Sequence, residues 1–102
     1  MKIYISGPMM GIPEFNKAAF IKAESKLLAC GHDVFNPARL PQSENITYAQ
    51  YMDIDLAMIR ACDIIHMLTG WEESKGANFE LKYAVMIGLQ VNYENQKLME
   101  VN

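Results

Sequence analysis

The chain reads as an α/β protein, a Rossmann-like three-layer fold in which a four-stranded parallel sheet is flanked by about three helices. Two observations predict this. Short β-rich runs alternate along the chain with segments of helical periodicity, the pattern that right-handed crossovers between parallel strands produce. The run Asp63-Ile64-Ile65-His66-Met67-Leu68 is almost continuously apolar, as expected of a central parallel strand buried on both faces. At 102 residues the chain reads as one domain, 1–102, able to bury a single modest core, with no internal repeat, low-complexity tract or linker.

The elements follow in order. Lys2 to Ser6 forms a first strand, ended by Gly7-Pro8. Pro13-Glu14 opens a helix to about Cys30, since proline is favoured at the first helical position; Phe20, Ala23 and Leu27 recur on one face, and Gly31 stops it. Asp33 to Asn36 is a second strand, ended by Pro37. Residues 37 to 47 form a loop long enough to cover a site. Thr47 caps a second helix, about Tyr48 to Ala61, whose apolar stripe is Met52, Leu56 and Ile59. The apolar run is the third strand, a loop from Thr69 to Lys75 follows, and a third helix spans about Gly76 to Ile87. After Gly88, Gln90 to Tyr93 is a fourth strand, and the polar tail carries no strong signal.

Composition narrows the function. The chain is 51% hydrophobic and 21% charged, which suits a globular protein. No apolar run reaches membrane-spanning length, and the opening residues are too soon broken by Ser6 and Gly7 for a secretory signal, so no membrane association and a cytoplasmic location are expected. A net charge of -3 argues against tracking a nucleic-acid polymer, which calls for a basic stripe. Cys30 and Cys62 lack ligand spacing and read as free buried thiols, so neither metal nor cofactor is assigned.

Ligands of parallel sheets bind beyond the carboxyl ends of the strands, near the switch point. That rule gathers the loop from Gly7 to Gly11, the loop after Leu68 and the start of the third helix into one crevice. Into it, Ser74-Lys75-Gly76-Ala77-Asn78-Phe79-Glu80 places a carboxylate on the first turns of a helix whose free NH groups can also receive an anion. Asp55 falls on or beside the apolar stripe of the second helix, where a carboxylate has a raised pKa or a specific partner such as Arg60. Tyr4 reads as a strand aromatic whose buried hydroxyl needs a partner, for which a crevice carboxylate would serve. Ser74 is the natural N-cap of the third helix.

Three motifs in this order and spacing carry a resemblance: Ile3-Tyr4-Ile5-Ser6-Gly7-Pro8; Asp53-Ile54-Asp55-Leu56 followed by Ala61-Cys62-Asp63; and Ser74-Lys75-Gly76 through Phe79-Glu80-Leu81 and Ala84. The chain resembles the nucleoside 2-deoxyribosyltransferase superfamily, particularly its small phage-type members. The resemblance implies cleavage of an N-glycosidic bond with Glu80 as nucleophile, Tyr4 orienting it and Asp55 donating a proton to the departing base, with overall retention through a glycosyl-enzyme. It further implies a small-molecule nucleoside or nucleotide as ligand, contacts from Ser6, Gly7, Gly11, Ser74 and Gly76, and a homodimer or higher homo-oligomer.

Within the superfamily, transferases acting on free nucleosides place an aspartate six residues before the nucleophile, whereas nucleotide hydrolases have a serine. Ser74 stands at that position. An aspartate would repel a 5'-phosphate and a serine would not, which favours a nucleoside 5'-monophosphate. The arginine that related hydrolases carry in the first loop is missing from Pro8-Met9-Met10-Gly11, leaving Lys75 or Arg39 as substitutes. Hydrolysis, base exchange and binding without turnover all remain compatible with these residues. Asp53 reads as a surface charge, Asp63 as a turn aspartate holding backbone NH groups, and His66 as a satisfied core histidine. Trp71 would either stack on a base or pack in an interface.

Overall fold

The computed structural model describes residues 1–95, and the polar tail beyond them lies outside the described residues. Four strands, β1 (Lys2–Ser6), β2 (Asp33–Phe35), β3 (Ile64–Met67) and β4 (Gln90–Tyr93), form one sheet in the order β2-β1-β3-β4, every pairing parallel. Helices α1 (Lys17–Ala29), α2 (Tyr48–Arg60) and α3 (Lys75–Met86) complete the Rossmann-like fold, with short 3-10 turns at Pro13–Asn16, Pro37–Arg39 and Trp71–Glu73.

The strands at the centre are buried because both faces are covered. Alternation turns Tyr4 of β1 and Ile65 and Met67 of β3 toward α2 and α3, where they pack with Ile59, Ala77 and Ala84. Ile5 and Leu68 face the other way, onto Phe20 and Ala23 of α1 and onto Ala38. The connection from β1 therefore leaves over one face and that from β3 over the other. The switch point lies between these two strands, and its crevice opens beyond Gly7 and Leu68.

Local chemistry sets the ends of the elements. Thr47 and Gln50 form a reciprocal capping box on α2, the Thr47 side chain accepting from Gln50 N and the Gln50 side chain from Thr47 N. Ser74 caps α3 by accepting from Ala77 N at 3.1 Å. Gly31, at φ +89, closes α1 with His32 N donating to Leu27 O. Asp63 accepts from Lys2 N at 2.9 Å and so ties the start of β3 to that of β1.

Several expectations are corrected. The first helix begins at Lys17, not Pro13, because Glu14, Phe15 and Asn16 all adopt left-handed backbone angles and the Asn16 amide donates to Pro8 O. Proline opens a 3-10 turn there, and Phe15 is carried to the crevice instead of an α-helical face. Cys62 is buried as expected, but Cys30 ends α1 in an exposed position. His66 is half-buried with Nδ1 lacking a partner among the described residues, so it is not satisfied, and burial pulls its pKa down.

Candidate active site

A cleft of about 1290 Å³ lies at the switch point. Its walls come from the loop after β1, the 37–47 loop, the inner face of α2 and the first turns of α3, and its lining is mostly apolar. Glu80 and Asp55 both line it, on α3 and α2 respectively.

Glu80 is only 6% exposed. Ala77, Glu80 and Ala84 share the face of α3 that rests on the sheet, and two alanines on that face let the helix come close enough to seat the carboxyl against β1. The Tyr4 hydroxyl donates to Glu80 Oε2 at 3.0 Å and the Ser6 hydroxyl donates to Oε1 at 2.6 Å. Burial, and secondly the nearby charge of Asp55, raise the Glu80 carboxyl to about 8, while the two hydroxyls pull in the opposite direction. Asp55 is raised to about 6, chiefly by burial, and its Oδ1 is buried without a hydrogen-bond partner among the described residues. The Tyr4 phenol is raised well above its ordinary value by burial and by Glu80, so it remains a donor. Two carboxyls set apart in this way hold one proton between them near neutrality, and acid and nucleophile chemistry needs that state.

Residues 1–93 match the family described as "Domain of unknown function (DUF4406)". The chain belongs to the DUF4406 family. No curated protein matches this DUF4406 chain in sequence. Among solved structures it is similar to the 2-deoxyribosyltransferase of the psychrotolerant bacterium Bacillus psychrosaccharolyticus, a biocatalyst for the synthesis of antiviral and antitumoral nucleosides. The TM-score is 0.72 and the identity 29%, over 97% of this chain and 79% of that one. The DUF4406 chain is thus a member of the nucleoside 2-deoxyribosyltransferase-like superfamily.

The structure gathers most of the residues singled out from the DUF4406 sequence. Glu80, Asp55, Gly7, Ser74 and Gly76 line the cleft, and Tyr4 lies beneath it against Glu80. Gly7 has a packing reason as well, because a Cβ there would stand 2.8 Å from Leu68 Cβ. Ser6 and Gly11 are placed differently from the expected ligand contacts. Ser6 is fully buried and bonded to Glu80, outside the cleft lining. Gly11 also lies outside that lining; it takes φ +80 in an exposed turn, which only glycine adopts cheaply. The suggested Asp55–Arg60 pair does not form, since Arg60 donates to the Tyr83 hydroxyl. Of the two cations considered for a phosphate, Lys75 lines the cleft, while Arg39 is bound to Glu24 at 2.6 Å. Trp71 packs on Tyr93, ring centroids 5.7 Å apart, and is not part of the cleft lining.

Other cleft residues were not assigned to the site from the sequence, although Met52 was read as part of the apolar stripe of α2. Tyr48, Tyr51 and Met52 share with Asp55 the face of α2 turned to the cleft, and that helical spacing from Asp55 could have found them. The Tyr51 hydroxyl donates to Pro41 O at 2.7 Å and accepts from Ser43 N at 3.1 Å, pinning the covering loop to α2. The Tyr48 hydroxyl converges with Ser74 over the start of α3: a Cβ built on Gly76 would lie 3.4 Å from Tyr48 Oη and 4.0 Å from Ser74 Oγ. Phe15 arrives through its left-handed turn, for which the sequence carries no signal.

Proposed function

We propose that this chain, an enzyme of the N-glycosidase/deoxyribosyltransferase-like type, cleaves the N-glycosidic bond of a (deoxy)nucleoside 5'-monophosphate to free base and sugar 5-phosphate. The observation that carries the reading is the Glu80 carboxylate, buried at the cleft, held by the Tyr4 hydroxyl and accompanied by Asp55. A Glu80 oxygen attacks the anomeric carbon. The bond from that carbon to the base breaks, its electron pair goes to the ring nitrogen, and the nitrogen takes a proton from Asp55. Water then gives a proton back to Asp55 as its oxygen displaces Glu80 from the sugar, with overall retention. The carboxyl pair holds one proton near neutrality, mainly on Glu80, whose pKa is the higher; its passage to Asp55 once a ligand fills the cleft would free Glu80 to attack and arm Asp55 toward the base.

The 5'-phosphate is assigned to Ser74, Gly76 and the first NH groups of α3, with Lys75 as the nearby cation. Gly7 borders the same space. The ligand is a small molecule, not a polymer, and the reading includes a cytoplasmic location and a homodimer or higher homo-oligomer. Exposed Phe79, Val85 and Met86 on α3 suit the latter.

One observation favours a second reading, exchange of deoxyribose between bases. The cleft, about 1290 Å³, exceeds the usual range of single-ligand pockets, ~300–1,000 Å³, and leaves room for an acceptor base. The test is chromatographic detection of free base from nucleosides and 5'-monophosphates of both sugars, by wild type and Glu80→Ala, with and without an acceptor base. Release from monophosphates by wild type alone is the expected result. Exchange from free nucleosides would favour the transferase. Failure to release or exchange any base would turn the reading to nucleotide binding without turnover.

A further inference from the structure

Ser6 follows Tyr4 by two residues on β1, so both side chains point to the same face of the sheet, toward α3. Its hydroxyl donates to Glu80 Oε1 at 2.6 Å, shorter than the 3.0 Å bond from Tyr4 to Oε2. The residue is 0% exposed and does not line the cleft, so a ligand in the cleft does not touch it. A serine hydroxyl has one proton to give. It can give that proton to an ionised carboxylate, whereas against a protonated carboxyl it must compete with a second donor.

We infer that Ser6 is a positioning residue for the Glu80 carboxylate: together with Tyr4 it holds both oxygens of the nucleophile, fixing one orientation and favouring the charged form, while making no contact with substrate. This rests on the reading of Glu80 as nucleophile. When one oxygen bonds to the anomeric carbon, the hydroxyl on the other oxygen still donates to the ester carbonyl. It is in place to receive the returning charge when water releases the sugar. The groups around Glu80 that also bear on its charge are Asp55 of α2, which opposes ionisation, and Tyr4 of β1; Glu44, Glu73 and Lys75 line the same cleft.

The contact can be read without turnover. Carboxyl-carbon NMR of protein labelled at glutamate follows the titration of Glu80, its resonance assigned by its loss in Glu80→Gln. In Ser6→Ala the midpoint is expected to rise by about one pH unit, the size of effect expected from one lost charge-assisted hydrogen bond. The acid limb of kcat/KM should rise with it, while KM on the alkaline side stays within about twofold, since no substrate contact is removed. Should Ser6→Ala fail to fold, Ser6→Cys keeps a side chain of similar shape with a weaker donor, and its midpoint should rise in the same direction. An unmoved midpoint in the variant that folds overturns the inference, as does a raised KM with an unmoved acid limb. If the midpoint rises but wild type releases no base, the contact with Glu80 stands and the glycosidase reading falls. If Glu80→Gln abolishes base release while the Ser6 variant titrates like wild type, the glycosidase reading stands and this inference falls.

Discussion

Replacing Glu80 by Gln is expected to stabilise the protein, and by more as the pH rises. The carboxyl is 6% exposed, and burial first, then the charge of Asp55, raise its pKa from 4.5 to about 8. In the unfolded chain it titrates near its ordinary value. Between these two values the unfolded state has given up a proton that the folded state keeps, so stability falls as pH rises, and the loss is complete above the folded value. The span from 4.5 to about 8 is about 3.5 pH units. At ~1.36 kcal/mol per unit this gives an upper bound of about 5 kcal/mol. Sharing of the titration with Asp55 makes the expected effect smaller than this bound. A glutamine is neutral throughout and escapes the loss. For a domain of this size ~1 kcal/mol shifts Tm by roughly 4–8 °C, so the Tm difference between variant and wild type should widen by on the order of 15 °C from about pH 4.5 to about pH 9. Thermal unfolding followed by circular dichroism across that range measures it. A Tm difference that stays constant would mean that Glu80 ionises as freely in the fold as outside it, and the burial argument would be wrong.

Other expectations follow from the same geometry. Asp55→Asn should lower kcat for base release by roughly 10²–10⁴-fold, the usual worth of a positioned acid, in steady-state assays with a substrate whose base leaves only when protonated; an unchanged kcat would remove Asp55 from the chemistry. Ser74→Asp keeps an N-cap but sets a charge against a phosphate, so the ratio of kcat/KM for monophosphate over nucleoside should fall by about tenfold or more, and an unaltered ratio would place the 5'-group elsewhere. Tyr51→Phe cuts both bonds that pin the covering loop to α2, and should raise amide exchange at Gln42 and Ser43 together with KM; unchanged exchange there would show that the loop is held by other contacts.

Much of this architecture was legible in the sequence because it is set by local chemistry. The near-continuous apolar run 63–68 is what a strand covered on both faces requires, and β3 occupies Ile64–Met67 inside it. Thr47 and Ser74 announce helix starts through capping, which needs only neighbouring NH groups. Asp55 stood out because helical periodicity sets it beside an apolar stripe, Glu80 because it is a carboxylate on the first turns of a helix, and Tyr4 because a buried strand hydroxyl needs a partner; their roles came from the resemblance. The start of α1 was misread for a complementary reason. Proline favours a first helical turn, but the bond from Asn16 to Pro8 O and the placement of Phe15 at the cleft accompany a left-handed path that intrinsic preference disfavours.

By itself, the sequence determined the order of strands and helices, the helix caps, and which carboxylates would be unusual, because these follow from periodicity and from partners a few residues away. Only the tertiary structure decided what those carboxylates meet. Ser6 and Glu80 are 74 positions apart, Tyr4 and Glu80 are 76 apart, and no local pattern records that two strand hydroxyls would close on the two oxygens of one helix carboxylate. The exposure of Cys30, the engagement of Arg39 with Glu24 and the pinning of the covering loop by Tyr51 belong to the same class. Each depends on how close two elements come, and packing across the sheet sets that distance.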